Sequence, residues 1–275
     1  MILVTGATGN VGRQVVGQLL EEGAEVRAMT RRPDRADLPD GVEVVRGDLA
    51  EPETLPEALR GVERAFLFPV PDRTAGFLAA ARETGLRNVV LLSASAVRYE
   101  RPNPIGRLHA GIEQAVTDSG LSWTILRPGA FMANDLQWWA PQIRATGVVR
   151  GLGDGVAGTP IDECDIAAVA VRALLDDGHA GRTYLLTGPE ALTDPQRVAI
   201  LGDVLGRELR FEGLSAEEYR AAMSARVPAP VVDALIAMRA ESKEMAEVSP
   251  APADLIGRAP HTYAEWAARH ADGFR

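Results

Sequence analysis

Three glycines, Gly6, Gly9 and Gly12, follow the apolar run Ile2-Leu3-Val4 and open a segment of helical periodicity. Residues 5–12 read Thr-Gly-Ala-Thr-Gly-Asn-Val-Gly. The chemistry open to such a turn is anion binding, because a helix N-terminus offers free backbone N–H groups and a pyrophosphate supplies matching charge. Gly6 allows a sharp exit from the strand, Gly9 lets the backbone approach a phosphate, and Gly12 lets the helix pack closely on the sheet. Ala7, Thr8, Asn10 and Val11 complete the cradle. The G-x-x-G-x-x-G spacing is one residue longer in its first gap than the G-x-G-x-x-G fingerprint, and a glycine-rich turn without a ligand is the competing reading. An apolar strand before it, an amphipathic helix after it and a whole βαβ unit around it favour a bound dinucleotide.

Arg31 and Arg32 end the second strand, about 20 residues past the glycine turn. An NAD site usually places a carboxylate there for the ribose 2′-OH, whereas an NADP site places a cation for the 2′-phosphate. A planar, bidentate Arg31 with a second charge at Arg32 therefore predicts NADP(H) over NAD(H). The bland alternative is two solvated arginines after a strand.

These residues need a scaffold, and the periodicity supplies one. Strands are predicted at Ile2–Thr5, Glu25–Met29, Val42–Arg46, Arg64–Phe68, Asn88–Leu92, Ser122–Leu126 and Thr183–Leu186. Helices are predicted between them at Val11–Glu22, Leu55–Leu59, Thr74–Thr84, Arg107–Ser119 and Ile166–Asp176. Such alternation gives an α/β fold, a doubly wound parallel sheet of the Rossmann type. From about residue 188 alanine-rich helices take over, at Asp194–Leu205, Ala216–Ser224, Val231–Ala246 and Tyr263–His270, with a short strand at Leu209–Phe211. Ser215 with Glu218 and Thr262 with Glu265 have capping-box spacing, while Ser249-Pro250-Ala251-Pro252 reads as a connector. The expected organisation is a dinucleotide-binding domain over 1–187, with 127–160 contributing to the pocket, and a small, mostly helical substrate-side subdomain over 188–275.

Composition narrows the function classes. The 275 residues carry a net charge of −9, with 46% hydrophobic and 24% charged residues. That is globular composition, and its acidity disfavours a nucleic-acid partner. The single cysteine, Cys164, permits no internal disulfide or thiolate cluster and fits a reducing compartment. Met1-Ile2-Leu3-Val4 runs straight into the first turn, and no stretch approaches about 18 apolar residues, so a cytoplasmic protein without a membrane span is expected.

Read together, these motifs resemble the NmrA-like members of the atypical short-chain dehydrogenase/reductase superfamily, which include NAD(P)H:quinone oxidoreductase-like and azoreductase-like proteins. The resemblance rests on Thr5–Gly12, Arg27–Arg32, Gly47-Asp48-Leu49, the span Gly120–Asn134 and Gly257–Phe274 with Trp266. It implies that Asp48 and Leu49 lie against the adenine and that Phe68, Pro69 and Val70 flank the cofactor's inner ribose. It also places Ser93, Ser95 and Pro128 at the ends of the fifth and sixth strands beside the cofactor. Taken alone, Asp48 reads as a turn carboxylate.

The superfamily generally uses a serine with Tyr-x-x-x-Lys on the helix after the fifth strand. Here Ile105 aligns with the tyrosine and His109 with the lysine. His109, able to exchange a proton near neutral pH, and Ser95 are the remaining catalytic candidates, with Glu113 one turn on to orient the imidazole. Tyr99 is near enough in sequence to stand in for the lost tyrosine. After the sixth strand, Phe131, Met132, Trp138 and Trp139 can form a flat apolar wall, with Met223 and Met238 closing over it; burial as packing is the competing reading for each. Asn134 with Gln137 fits another capping box. Asp162 and Asp165 read as helix-start charges, Cys164 as buried filler, and no metal site is predicted.

The resemblance implies an NADPH-dependent reductase of quinones or similar conjugated acceptors, which need little more than juxtaposition with a nicotinamide. The alternatives are a non-catalytic NADP(H)-binding redox sensor acting through a protein partner, and a reductase or isomerase of a polycyclic natural product.

Overall fold

The computed structural model describes residues 1–99, 103–224, 227–242 and 247–275. The chain runs β1 (Ile2–Val4), α1 (Asn10–Glu21), β2 (Val26–Thr30), β3 (Glu43–Arg46), α2 (Leu55–Ala58), β4 (Arg64–Leu67), α3 (Thr74–Thr84) and β5 (Asn88–Leu92). There follow α4 (Pro104–Thr117), β6 (Ser122–Pro128), α5 (Ala133–Trp138), α6 (Ala140–Thr146), β7 (Val148–Leu152), α7 (Glu163–Leu175) and β8 (Arg182–Leu186). The last elements are α8 (Asp194–Leu205), β9 (Arg210–Leu214), α9 (Ala216–Met223), α10 (Ala229–Ser242), α11 (Ala251–Ile256), α12 (Tyr263–Arg269) and α13 (Ala271–Phe274).

Seven strands form one parallel sheet in the order β3-β2-β1-β4-β5-β6-β8. Alternation divides their side chains between two cores. Ile2, Val4, Phe66, Val90 and Leu92 face one; Leu3, Ala65, Leu67, Val89 and Leu91 face the other. A sheet apolar on both sides must be covered on both. Val11, Val15, Val16 and Leu19 of α1, with Ile166, Ala170 and Leu174 of α7, cover the first face. Leu55 of α2, Phe77 and Ala81 of α3, and Ile112 and Val116 of α4 cover the second. Strand order reverses at β1/β4, so a crevice opens there beyond the carboxyl ends of the strands.

A third core lies to the side of the sheet. Met132, Trp139, Ile143, Val149, Val198, Leu201, Tyr263, Trp266 and Phe274 build it from α5, α6, β7, α8, α12 and α13. β7 and β9 pair there as a separate parallel ladder, with Gly151 opposite Gly213. Among the described residues no helix is long and apolar enough to cross a membrane.

Several local expectations meet corrections. The capping boxes at Ser215 and Thr262 form, as does a third at Thr193 with Gln196. Asn134 does not cap α5: it lies inside the helix, and its N–H donates to the Phe131 carbonyl at 3.1 Å. The Pro-rich stretch after Ser249 starts α11, because proline in a first helical turn gives up no helical hydrogen bond. α4 starts at Pro104, where the Asn103 side chain accepts from the Gly106 N–H. α10 is described to Ser242, and the rest of the predicted segment, 243–246, lies outside the described residues.

Candidate active site

The turn after β1 is shaped by what its glycines permit. Gly6 has φ of +61°, and the Gly9 N–H donates back to its carbonyl at 2.9 Å. A Cβ on Gly12 would lie 2.7 Å from the Gly6 carbonyl carbon and 3.0 Å from Ala7 Cα, too close for any other residue. The start of α1 differs from those of α7, α8, α9 and α12, whose first turns are capped by Asp162, Thr193, Ser215 and Thr262. α1 has glycine at its N-cap, no side-chain cap and no acid in its first turn. Its terminal amides and positive dipole end are left for an external anion, and the residues present fit a pyrophosphate.

Around this cradle Ala7 and Val11 are buried, while Thr8 and Asn10 stand at its mouth. Phe68 packs its Cβ against Gly6, yet is 42% exposed, an unusual position for a large apolar ring. Its N–H donates to Thr5 Oγ1 at 2.7 Å, tying the end of β4 to β1, and half-buried Pro69 and Val70 continue the rim. Arg31 and Arg32 are exposed at the end of β2, and the neighbouring carboxylates of Asp34 and Glu51 pair instead with Arg35 and Arg46. Asp48 behaves as a turn carboxylate: it accepts the Ala50 N–H at 2.9 Å, with Leu49 buried beside it.

At the ends of β5 and β6 the structure revises one expectation. Glu113 does not orient His109. It turns into the sheet, where Arg127 Nε and Nη2 reach its two oxygens at 2.9 and 2.5 Å and Ser93 Oγ donates to Oε1 at 2.5 Å. A bidentate guanidinium is the stronger partner for a buried carboxylate, and its hydrogen bond holds the Arg127 pKa above the ordinary value. His109 Nδ1 is left buried without a hydrogen-bond partner among the described residues. Burial draws the imidazole pKa below its ordinary value, the Glu113 charge partly opposing, so His109 is neutral at physiological pH.

A cleft of about 460 Å³ opens beside these strand ends. Ser95, Tyr99, Ile105, Pro128, Phe131 and Trp138 line it. Tyr219 and Met223 of α9 and Leu235 and Met238 of α10 line the outer side. His109 is not among the lining residues. Met132 is not on the wall either: it is 1% exposed and packs in the third core. Phe131 bridges Ile161 and packs against the core under α1 and α7, whereas Met132, with helical backbone angles at the start of α5, donates its N–H to the Ile161 carbonyl and packs in the third core. Trp139 is largely buried, with the Arg197 guanidinium stacked 4.5 Å from its ring centroid.

Sequence reading missed the polar side of the cleft. Arg197 donates from Nη1 to both oxygens of Asp135 at 3.0 and 2.8 Å and from Nη2 to Asp194. Arg239 of α10 reaches Asp194 at 3.0 Å and Asp154 at 2.9 Å. The i,i+3 spacing of Asp194 and Arg197 was a weak signal; their partners stand tens of residues away.

Asp162 and Asp165 converge with His261 closely enough to hold an ion. The trio is already supplied with protein partners: Asp162 accepts from the Cys164 N–H and Arg269, and Asp165 accepts from the His261 N–H at 2.7 Å, with Arg258 ion-paired to its other oxygen at 2.7 Å. Arg258, His261 and Arg269 thereby tie the start of α7 to the segment between α11 and α12 and to the end of α12.

With this geometry in place, comparison with known proteins is informative. The profile of an NAD(P)H-binding family matches residues 6–177. A (4-alkanoyl-5-oxo-2,5-dihydrofuran-3-yl)methyl phosphate reductase of Streptomyces griseus subsp. griseus is 45% identical, over 100% of this chain and 99% of the relative. An NAD(P)H azoreductase of Xenophilus azovorans is 36% identical over 100% and 99%. The crystal structure of an NADPH-dependent quinone oxidoreductase from Escherichia coli complexed with NADPH superposes with a TM-score of 0.85 at 27% identity, covering 98% of this chain and 99% of that one. The chain belongs to the NAD(P)H-binding family, among the NmrA-like, atypical short-chain dehydrogenase/reductases that its glycine turn resembled.

Proposed function

We propose that this protein is an NADPH-dependent reductase of flat, electron-poor conjugated acceptors. The observation that carries the reading is that an uncapped glycine cradle, after β1, and an aromatic-lined cleft, after β5 and β6, both lie at the carboxyl end of one parallel sheet. In this reading residues 1–187 hold the cofactor, 188–275 close the substrate side, and 127–160 contribute the wall between them. Gly6 through Gly12 hold the pyrophosphate, Arg31 and Arg32 the 2′-phosphate, and Asp48, Leu49, Phe68, Pro69 and Val70 the adenosine half. The bound nicotinamide supplies a hydride.

The relatives support the acceptor class. An unsaturated lactone phosphate, an azo compound and a quinone differ in most respects, but each offers a planar π-system that takes up a hydride. Phe131 and Trp138 suit such a plane, and Ser95, which lines the same cleft, is assigned to hydrogen-bond the oxygen or nitrogen that gains charge. Ile105 and His109 stand where the superfamily's tyrosine and lysine would. Reduction of these acceptors tolerates that change, since the product anion takes its proton from water or from a cleft hydroxyl. His109, neutral and outside the cleft, serves as a hydrogen-bonding group toward the cofactor ribose rather than as a proton donor to the acceptor.

NADPH oxidation followed at 340 nm, with quinones, azo dyes and unsaturated lactones as acceptors, tests the proposal. Turnover with at least one class is expected. No oxidation with any of them, in protein shown to bind NADPH, overturns it.

A further inference from the structure

Arg13 is the fourth residue of α1, one position past the last glycine of the cradle. Its side chain crosses to the loop that carries Arg31 and Arg32. Nη1 donates to the main-chain oxygen of Asp37, and Asp37 Oδ2 lies 3.4 Å away. These two contacts differ in kind. The main-chain bond fixes where the guanidinium sits, whereas the carboxylate is 98% exposed and such surface pairs contribute little. Among the described residues Nε and Nη2 of Arg13 have no partner, and the side chain is 43% exposed.

Charge points the same way. Residues 31–40 contain three arginines, Arg31, Arg32 and Arg35, and three aspartates, Asp34, Asp37 and Asp40. The loop alone is neutral and gives an anion no net attraction. Arg13 makes the region positive, from the one element that also presents amides to the pyrophosphate. A cofactor lying from the α1 terminus to the end of β2 runs from the helix that carries Arg13 toward the strand end that Arg31 follows.

We propose that Arg13 is a third cation for the cofactor 2′-phosphate, and that the Asp37 carboxylate is a placeholder which the phosphate displaces. The assignment rests on the NADP(H) preference proposed above. The main-chain bond to Asp37 keeps the guanidinium in position, and its unpaired edge offers the two parallel donors that suit a phosphate.

The test is equilibrium binding of adenosine 2′,5′-bisphosphate and adenosine 5′-monophosphate to the full chain, by calorimetry, which needs no turnover. Wild type is expected to favour the bisphosphate. Arg13→Ala should weaken the bisphosphate about tenfold and the monophosphate less than twofold, the loss of one charge-assisted contact. Asp37→Asn should tighten the bisphosphate about two- to fivefold by removing a like charge. Arg13→Lys, which keeps the charge and loses the fork, should fall between and serves if the alanine variant does not fold. Equal weakening of both ligands in Arg13→Ala, an unchanged preference, or weaker bisphosphate binding in Asp37→Asn overturns the assignment. Equal affinities in wild type overturn the NADP(H) preference itself, a separate failure.

Discussion

Tyr263 Oη donates to Asp135 Oδ2 at 2.6 Å, joining α12 to the first turn of α5 across 128 residues of sequence. Both side chains are buried, and the second partner of the carboxylate is the Arg197 guanidinium. Asp135 and Arg197 line the cleft together with Trp138 and Trp139. Asp135→Ala removes an acceptor from a buried phenol and one of two anions from a buried cation. Breaking such a pair from one side costs about 3–5 kcal/mol. Asp135→Asn keeps an acceptor for Tyr263 and should lose far less. Urea unfolding of the two variants checks this, and equal losses would show that charge alone matters there.

The same residue gives a pH dependence. Burial pushes the Asp135 pKa up to about 6, with Arg197 and the Tyr263 hydrogen bond pulling the other way. In the unfolded chain an aspartate ionises near ~3.9. The folded state therefore binds this proton more tightly, and stability from the group is full below about 4 and lost as pH rises through 6. Relative to Asp135→Asn, wild type should gain on the order of 1 kcal/mol between pH 7 and pH 5. Melting curves of both proteins at the two pH values measure the difference. A gap that narrows on acidification contradicts the raised pKa.

Gly12→Ala is expected to abolish dinucleotide binding. Its Cβ would fall 2.7 Å from the Gly6 carbonyl carbon, so α1 must move away from β1 and carry the cradle amides with it. Gly17, on the same helix, has open space where its Cβ would be. Gly17→Ala should leave binding intact and stabilise the helix by ~0.5–1 kcal/mol. Nicotinamide fluorescence on titration separates the two variants, and matched affinities would deny the turn its role.

The seven strands of the main sheet were legible because most are short β-branched or apolar runs between helical segments, and residues 5–12 carry their chemistry in local order. β7 was not, since Val148–Leu152 is broken by Arg150 and by the glycine that pairs with Gly213. The cleft was half legible. Phe131 and Trp138 follow a strand end, so proximity in sequence places them. Met132 lies between them in sequence but turns into the third core as the backbone passes from the Phe131–Ile161 bridge into α5. Glu113 looked like a partner for His109 at i,i+4 spacing; its real partners, Ser93 and Arg127, come from two strands. Contacts across long loops, such as Asp135 with Arg197 or Arg239 with Asp154, have no local signature.

Arg239 should govern how tightly the outer wall closes. Its Nε lies 3.1 and 2.9 Å from the Asp154 oxygens, and Nη2 bonds Asp194 at 3.0 Å and the Val156 carbonyl at 3.2 Å. The neighbouring wall helix, α9, has no buried residue, and Arg220 with Asp233 staples it to α10. α10 itself is anchored by buried Val232 and Ala234, and charged bonds near its end steady Leu235 and Met238, which line the cleft. Losing several charge-assisted hydrogen bonds from a half-buried arginine costs about 1.5–3 kcal/mol locally. Arg239→Ala should therefore raise the acceptor KM about five- to twentyfold, by letting the wall open. NADPH affinity, set by the glycine cradle after β1, should change less than twofold. Steady-state kinetics with fluorescence titration measures both quantities, and a parallel loss of acceptor and cofactor binding would place Arg239 in the general stability of the fold rather than in the wall.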